Sequence, residues 1–341
     1  MVCLRVGLLG FGNVSIALIK HYLNIEDEIS DRYKLKLDFT YICDSSKIYN
    51  ATGSDINGII IKKEKGLFNT EKTTKTLEQF HEIIDENKID LLIDCLPSSK
   101  KDAGPTFSLL MRALKKNIAV ICINKAPLVF SGEKILEVAR QYRTKIGFSG
   151  ATAGCLPTSG IMLHELVASG IYRIRGVLNG TSNHVLDSMM FNDLSLEQAI
   201  QSAIDIGIAE PDYASDLNGL DTCFKMMILG LLINGKTKPL EQIPCTGIME
   251  LEPDYIKGVA QKKKVLRLVG ILGVEKGAVD ISVRPEEIDN QDPLFAVRGT
   301  GKGITFSTKH MGDLTVIGGS SGRTNIAAAV IKDIINIAKP G

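Results

Sequence analysis

Residues 6–15 read Val6-Gly7-Leu8-Leu9-Gly10-Phe11-Gly12-Asn13-Val14-Ser15. An apolar segment runs into a glycine turn and amphipathic spacing follows directly, which predicts a strand, a tight turn and a helix. Glycines permit such a turn and let the backbone approach a pyrophosphate, whose charge is stabilised by N–H groups at the helix N-terminus. Ser15 stands where the third glycine of the G-x-G-x-x-G pattern is usual. The stretch favours a dinucleotide site over the alternative, an ordinary strand-to-helix turn.

The sequence up to residue 150 alternates short apolar runs with amphipathic ones. Strands are predicted at residues 4–9, 35–43, 90–96, 118–123 and 145–148, and helices at residues 14–23, 77–87, 105–116 and 132–142. This order is typical of parallel strands joined by crossover helices, so we predict an α/β fold with a Rossmann-type doubly wound parallel sheet. Residues 44–76 are polar and contain glycine, which indicates a loop or weak structure without a clear assignment.

The pattern changes after Gly150, where helices and strands no longer alternate regularly. Helices are predicted at residues 161–169, 183–192, 195–206, 216–233 and 325–338, and strands at residues 172–178, 266–274, 279–283, 303–307 and 313–317. The second part of the chain is therefore predicted to form an α+β domain.

Composition excludes several classes of function. The 341 residues carry 40 Lys and Arg against 39 Asp and Glu, so the net charge of +1 provides no field that attracts nucleic acid or an anionic membrane. The longest apolar run, residues 226–233, is far shorter than the ~20 residues that span a bilayer, and the first residues lack a signal-peptide pattern. Seven cysteines without a C-x-x-C pair indicate reduced thiols. We expect a cytoplasmic protein without nucleic-acid or membrane partners.

Polar residues follow the other predicted strands of the first domain. Asp44 and Ser45 come after the second strand, where a carboxylate binds the ribose 2′-hydroxyl of NAD and neighbouring polar groups meet the 2′-phosphate of NADP. Ser98 and Lys125 follow two further strands, at the edge where ligands of doubly wound sheets bind. These positions predict ligand contacts, and the choice between NAD and NADP stays open.

A charged pair lies among apolar residues in the second domain. If a helix begins at Asp216, then Asp221 and Lys225 fall on its apolar stripe, four residues apart and able to contact each other. Burial lowers a lysine pKa and a nearby carboxylate raises it, which suits proton transfer near neutral pH. A purely structural ion pair explains the pattern equally well.

Two turns and a small-residue segment complete the candidate features. Gly180 and Thr181 follow an apolar strand, in a segment that an ordinary strand-to-helix junction also explains. Gly322 belongs to a glycine cluster that forms either a turn or a second backbone approach to a cofactor. Residues 150–157 are small and end at a proline, which is typical of a hinge.

Together these motifs resemble those of homoserine dehydrogenases along nearly the whole chain. The matching segments are the turn at Gly10 and residues 124–128, 150–157, 177–183, 207–225 and 318–333, and the spacing of Glu210, Asp221 and Lys225 is the most discriminating. The resemblance implies reversible oxidation of L-homoserine to L-aspartate 4-semialdehyde with NAD or NADP, in threonine and methionine biosynthesis. It also implies a homodimer formed through the sheet of the second domain.

The resemblance assigns roles to individual residues. It implies Lys225, Lys125 and Asp221 as catalytic residues that meet near the nicotinamide. The positions implied for substrate binding are Glu210, Asp216, Gly180 and Thr181. The positions implied for the cofactor are Gly10, Phe11, Gly12, Asn13, Val14, Asp44, Ser45, Ser98, Lys125 and Gly322. Backbone carbonyls of Thr152, Gly154 and Leu156 would bind a monovalent cation, Na⁺ or K⁺.

The resemblance also bears on domain organisation. We predict an NAD(P)-binding domain at residues 1–149 with 323–341, and a substrate-binding and dimerisation domain at residues 150–322. The chain resembles a short monofunctional form without a kinase or a C-terminal regulatory domain. Ser149 replaces a glutamate common in relatives, which weakens the expected cation site.

Two alternative functions remain at this point. One is an NAD(P)-dependent dehydrogenase of another small hydroxy or amino acid, since a fold does not determine the substrate. The other is a catalytically silent NAD(P)-sensing protein, which the presence of both Lys125 and Lys225 disfavours.

Overall fold

The computed structural model describes residues 1–44, 47–66, 76–209, 212–319 and 321–339. Its strands are β1 (Val2–Leu9), β2 (Leu35–Cys43), β3 (Ile48–Asn50), β4 (Leu91–Asp94), β5 (Ala119–Cys122), β6 (Ile146–Gly147), β7 (Ile171–Val177), β8 (Val265–Glu275), β9 (Ala278–Ile288), β10 (Lys302–Thr308) and β11 (Gly312–Gly318). Its α-helices are α1 (Asn13–Tyr33), α2 (Ile56–Glu64), α3 (Thr76–Asp85), α4 (Phe107–Lys115), α5 (Ala126–Gln141), α6 (Ser149–Thr152), α7 (Thr158–Gly160), α8 (Gly180–Phe191), α9 (Leu196–Asp205), α10 (Ala214–Leu217), α11 (Leu220–Asn234), α12 (Pro253–Gln261) and α13 (Arg323–Ala338).

The chain divides into two compact units. The first comprises residues 1–151 and 326–341, and the second comprises residues 152–325. No helix in the described part of the chain is long and apolar enough to cross a membrane.

The first unit is built on a six-stranded sheet of order β3-β2-β1-β4-β5-β6. Strands β2, β1, β4, β5 and β6 pair in parallel, and β3 is antiparallel to β2. The predicted α/β fold with a parallel sheet is confirmed. Winding reverses at β1, which has β2 on one side and β4 on the other, so the crevice at the carboxyl ends of β1 and β4 is where such folds bind ligands.

The core of the first unit includes the last helix of the chain. Val6 and Leu8 of β1 are buried in one apolar cluster with Val330 and Ile334 of α13. Because the apolar side chains of α13 recur at helical spacing, the helix buries one face against the sheet. The C-terminal segment therefore belongs to the nucleotide-binding type of fold and not to the second sheet.

The second unit contains a five-stranded antiparallel sheet of order β11-β10-β7-β8-β9. Helices α8, α11 and α12 pack on it. The predicted α+β architecture of this part is confirmed, and the helices place the start of α8 and the start of α11 near the end of β7.

Several details of the predicted secondary structure are wrong; helix α12 (Pro253–Gln261), for example, was not predicted. Residues 44–76 contain β3 and α2 in addition to loop. The helix expected at residues 216–233 is two helices, α10 and α11, because Gly219 adopts a φ of +88° between them. The helix expected at residues 161–169 is a single π-helical turn, Ile161–Glu165. Short 3-10 turns at Leu240–Gln242 and Pro293–Ala296 were not predicted.

A buried carboxyl at the end of β4 makes the stability of the protein depend on pH. Asp94 accepts hydrogen bonds from Thr106 Oγ1 at 2.6 Å and from Asn124 Nδ2 at 3.1 Å, but burial dominates and raises its pKa to about 6. Because the pKa is raised in the folded protein, the neutral carboxyl contributes to stability. This contribution is complete at pH values below 3.8, the pKa in the unfolded chain, and is lost as the pH rises through about 6.

We expect Asp94→Asn to remove this dependence. Between pH 4 and pH 7, the wild type should lose on the order of 3 kcal/mol of unfolding free energy relative to the variant. Unfolding by urea at a series of pH values, followed by circular dichroism, measures the difference. Asp90→Asn is the matched control. Because Arg5 lowers the pKa of Asp90, the stability that this carboxylate contributes is lost as the pH falls, which is the opposite pH dependence. Parallel pH curves for Asp94→Asn and the wild type would contradict the prediction.

Candidate active site

The glycine turn after β1 has the geometry that a dinucleotide needs. Gly10 has a φ of +89°, and a Cβ at this position would lie 3.1 Å from the carbonyl carbon and oxygen of Cys95. The Gly10 N–H donates to the Cys43 carbonyl at 2.8 Å, which holds the turn over the end of β2. Gly12 is the N-cap of α1 and no side chain caps the helix, so the first turn, with Asn13 and Val14, presents backbone N–H groups.

Ser15 explains how the turn manages without a third glycine. Its buried hydroxyl donates to the Gly10 carbonyl, so the side chain points back into the turn that it helps to close. The Ser15 side chain therefore adds a hydrogen bond inside the turn at the position where a third glycine is usual.

Asp44 lies at the carboxyl end of β2, next to the turn. It is buried, and Lys63 of α2 forms an ion pair with its carboxylate. The Lys63 ammonium also lies 5.9 Å from the centroid of the Phe11 ring, which is buried. Lys63 was missed at the sequence level because it falls in the stretch expected to be loop. Ser45 lies outside the described residues.

Ser98 and Lys125 come together at the ends of β4 and β5. The Lys125 backbone N–H donates to Ser98 Oγ at 2.8 Å, and Lys125 is the N-cap of α5. Asn124 accepts from the Ala126 N–H at 3.1 Å and donates to Asp94, which fixes the start of α5. Pro127 in the first turn strengthens the same helix start. The Lys125 side chain thus leaves the sheet at its ligand-binding edge.

Asn179 organises the acidic groups of the second unit. As the N-cap of α8, it accepts a hydrogen bond from the Ser182 N–H at 2.9 Å. Its amide nitrogen donates to Asp216 Oδ1 at 2.6 Å and to Asp221 Oδ2 at 2.8 Å. One amide therefore holds two carboxylates together. The sequence analysis assigned Asn179 no role, since neither carboxylate is near it along the chain.

Lys225 is held at this carboxylate pair. Its ammonium lies 2.5 Å from Asp221 Oδ2, and it donates to the Leu178 carbonyl at 2.8 Å. The side chains of Lys225 and Asp221 are 12% and 15% exposed, so the pair is largely but not completely withdrawn from water. The predicted contact across one helical turn is confirmed, although the helix starts at Leu220 and not at Asp216.

Asp216 has a different electrostatic environment from Asp221. Burial raises the pKa of Asp216, the negative charge of Asp221 raises it further, and hydrogen bonding to Asn179 opposes both effects. Thr181 Oγ1 donates to the Ile208 carbonyl at 3.1 Å. A Cβ on Gly180 would lie 2.0 Å from Ser321 Oγ and 2.9 Å from the Thr300 carbonyl oxygen, so a larger residue would have to displace both groups. Glu210 lies outside the described residues.

The small-residue segment 152–156 packs against the second glycine turn within the same unit. A Cβ on Gly319 would lie 2.7 Å from Cys155 Sγ, and Gly322 has a φ of +152°. The Leu156 carbonyl accepts the Thr158 N–H at 2.8 Å, and the Ala153 carbonyl accepts from Lys302 Nζ at 3.4 Å. An ammonium group therefore already binds a backbone carbonyl of this segment, at Ala153, between Thr152 and Gly154, whose carbonyls are expected to bind a monovalent cation.

Ser149, where the resemblance led us to expect a glutamate, binds Asp333. Its hydroxyl donates to Asp333 Oδ1 at 2.7 Å, and its N–H donates to Asp333 Oδ2 at 2.8 Å. Among the described residues, no three His, Cys, Asp or Glu side chains cluster as a metal site requires.

Comparisons with known proteins agree with this geometry. A family model described as homoserine dehydrogenase matches residues 157–335. A homoserine dehydrogenase of Helicobacter pylori is 29% identical over 98% of this chain and 74% of its own length. A protein of Pseudomonas canavaninivorans named NAD(+)-dependent homoserine dehydrogenase is 27% identical over 98% of this chain and 96% of its own length. The crystal structure of homoserine dehydrogenase from Thermoplasma acidophilum superposes with a TM-score of 0.84, at 27% identity over 99% of this chain and 100% of that one.

The parallel sheet with its glycine turn, together with the second unit, defines an NAD(P)-dependent oxidoreductase that acts on a CH–OH group. The match to the family model, which spans more than half of the chain, shows which family of these oxidoreductases the chain belongs to. The chain belongs to the homoserine dehydrogenase family, and its reaction is the reversible oxidation of L-homoserine to L-aspartate 4-semialdehyde.

Proposed function

We propose that Lys225 is the residue that exchanges a proton with the C4 hydroxyl of homoserine. The observation that supports this most is the largely buried Asp221–Lys225 pair with its 2.5 Å contact. In the oxidation direction, the Lys225 ammonium first releases a proton to solvent. The hydroxyl O–H bond then breaks, its proton passes to the neutral Lys225 amine, and the C4–O bond becomes a carbonyl as a hydride leaves C4. When bound, the nicotinamide takes up the hydride from C4. The same lysine returns the proton in the reduction direction.

Asp221 acts in this proposal as a positioning group for Lys225. Its carboxylate receives the Asn179 amide at 2.8 Å and the Lys225 ammonium at 2.5 Å, so it fixes the direction in which the amine points. The Leu178 carbonyl provides a second fixed contact at 2.8 Å. A proton acceptor held in this way loses little entropy when substrate arrives. Lys125 is proposed as the second catalytic lysine, since its start of α5 lies at the ligand-binding edge of the first sheet.

The substrate ammonium is proposed to bind at Asp216, with Gly180 and Thr181 lining the pocket. Burial raises the pKa of Asp216, and repulsion from the Asp221 carboxylate, which shares the same amide, raises it further. A substrate ammonium next to them would relieve the repulsion. Glu210 is proposed for the same role on the resemblance alone.

The first unit is proposed to hold NAD(P) through the glycine turn and the neighbouring strand ends. The residues concerned are Gly10, Phe11, Gly12, Asn13, Val14, Asp44, Ser98 and Lys125, with Ser45 proposed on the resemblance alone. Gly322, which belongs to the second unit, is likewise proposed for the cofactor on the resemblance alone. Asp44 supports a preference for NAD, because a buried carboxylate accepts the ribose 2′-hydroxyl and repels a 2′-phosphate. The name of the Pseudomonas canavaninivorans relative points the same way.

We expect Gly10→Ala to weaken NAD(P) binding by about tenfold or more. The substitution forces a side chain into a left-handed conformation and against the Cys95 carbonyl, a strain of about 1–3 kcal/mol. Titration of the fluorescence of reduced cofactor measures the dissociation constant. Gly53→Ala is the matched control, because Gly53 has a φ of +67° with nothing within 4 Å of its Cβ position. Equal affinities in both variants would show that the contact with Cys95 is unimportant.

The chain is proposed to form a homodimer through its antiparallel sheet, and to work in the cytoplasm without nucleic-acid partners. Tyr172 of β7 and Leu314 and Ile317 of β11 are large apolar residues that remain exposed, which supports an interface there. Light scattering after size exclusion measures the mass in solution, and a monomer at micromolar concentration would contradict the dimer.

The decisive test of the activity is direct. Purified protein is supplied with L-homoserine and either NAD or NADP, and the near-ultraviolet absorbance of the reduced nicotinamide is followed. Turnover with homoserine and faster reaction with NAD support the proposal. Cofactor binding without turnover would transfer the assignment to another substrate.

A further inference from the structure

Lys302 is a buried lysine that neither the sequence analysis nor the proposed mechanism uses. It is the first residue of β10 and pairs with Gly318 of β11, and the next residue, Gly303, pairs with Val177 at the end of β7. Lys302 therefore lies beside the point where β7 continues into Leu178, whose carbonyl holds Lys225. Only 8% of the residue is exposed.

The ammonium of Lys302 is held by the small-residue segment. Nζ donates to the Ala153 carbonyl at 3.4 Å, in the middle of residues 152–156. That segment also packs on the second glycine turn through Cys155 and Leu156. The Lys302 ammonium thus links the start of β10 to the backbone of segment 152–156.

The charges around Lys302 come from the candidate active site itself. Burial, and to a smaller extent repulsion from Lys225, lower the pKa of Lys302 to about 8, although the Cys155 sulfur and the Asp221 carboxylate oppose this shift. Lys302 is therefore within electrostatic range of the Asp221–Lys225 pair. Lys225 repels the Lys302 ammonium, and it would repel a metal cation bound at the same place for the same reason.

We propose that the ammonium of Lys302 is a built-in monovalent cation of the candidate active site, which holds segment 152–156 in place so that the enzyme needs no added Na⁺ or K⁺. The inference rests on the proposed function for its kinetic consequence. It differs from the expectation drawn from the resemblance, in which carbonyls of Thr152, Gly154 and Leu156 take a cation from solution. Lys302 is thus a positioning residue, since it acts through the backbone that it holds.

The test compares Lys302→Met with the wild type in potassium chloride, sodium chloride and tetramethylammonium chloride at equal ionic strength. Tetramethylammonium is too large to enter a carbonyl cluster, so it controls for ionic strength. The wild type should have the same kcat in all three salts. Lys302→Met should lose about 10- to 100-fold in kcat in tetramethylammonium chloride and regain most of it in potassium or sodium chloride. Lys302→Arg, which keeps the charge, should respond least to salt.

Lys309→Met is the matched control, because Lys309 is an exposed lysine directly after the other end of β10. It should behave as the wild type in every salt. Stimulation of the wild type by potassium over tetramethylammonium would overturn the proposal, and so would a Lys302→Met enzyme that is fully active in tetramethylammonium.

Thermal unfolding separates this inference from the proposed function. The unfolding midpoint of Lys302→Met, followed by circular dichroism, should rise when potassium replaces tetramethylammonium, whereas the wild-type midpoint should not change. This comparison needs no turnover. If no variant oxidises homoserine in any salt, the proposed function fails, while the unfolding data still decide the role of Lys302. If Lys302→Met does not fold, Lys302→Gln provides the same comparison, and the indifference of the wild type to potassium remains a test on its own.

Discussion

Replacing Lys225 by alanine is expected to lower kcat by about 10²- to 10⁴-fold, the usual contribution of a positioned proton-transfer group. The amine contacts Asp221 at 2.5 Å and the Leu178 carbonyl at 2.8 Å, so the variant removes the proton acceptor and leaves its fixed partners behind. The affinity for NAD(P), measured by fluorescence titration of the reduced cofactor, should be nearly unchanged. Steady-state kinetics with homoserine in both directions measures the loss.

The control for Lys225→Ala is Lys236→Ala, which removes an exposed lysine just beyond the end of the same helix. This control should retain wild-type kcat and KM. A defect of Lys225→Ala confined to KM would make Lys225 a binding residue and not the proton acceptor. Asp221→Asn keeps a polar group for Asn179 but loses the charge that orients the amine, so its kcat should fall less than that of Lys225→Ala and its pH profile should move.

The architecture could be predicted where the local sequence pattern and the packing of the folded protein favour the same secondary structure. Residues 6–15 combine an apolar strand, a turn that only glycine permits at Gly10, and a helix, and all three requirements coincide in the structure. The break before α11 was missed because apolar periodicity continues across Gly219, and only its φ of +88° shows that the chain changes direction. Periodicity reports which face is buried, but it does not report whether one helix or two provide that face.

The site could be predicted only in part, for the same reason. Asp221 and Lys225 are one helical turn apart, so their contact follows from helix geometry. The bridge from Asn179 to Asp216 and Asp221 spans 37 and 42 residues, and the contact of Lys302 with Ala153 spans 149. No local sequence pattern predicts a contact between residues so far apart along the chain. The visible signals were a polar residue at the end of an apolar strand and a lysine at the start of another, which many surface residues share.

Replacing Arg267 by methionine is expected to destabilise the second unit by about 3–5 kcal/mol. Arg267 is completely buried on β8, and its guanidinium lies 2.8 Å from Asp187 Oδ1. It also donates to the Val297 carbonyl at 2.7 Å and to the Leu266 carbonyl at 2.8 Å. Methionine fills similar space but leaves the Asp187 carboxylate without its cation and these carbonyls without their donors. Thermal unfolding followed by circular dichroism should show a midpoint lower by on the order of 10 °C.

This loss should come from the unpaired charge and not from packing, and two further variants separate these causes. Asp187→Asn in the Arg267→Met background should recover part of the stability, because it removes the buried charge that the first substitution left behind. Arg5→Met breaks the ion pair with Asp90, in which the Arg5 side chain is 44% exposed, and should cost about 1 kcal/mol or less. Asp187 also accepts the Gly299 N–H at 2.6 Å, so the Arg267 pair ties helix α8 to the segment that leads into Lys302. If Arg267→Met is no more costly than Arg5→Met, the buried pair does not hold these elements together, and the positions of Asn179 and Lys302 must depend on the surrounding apolar core alone.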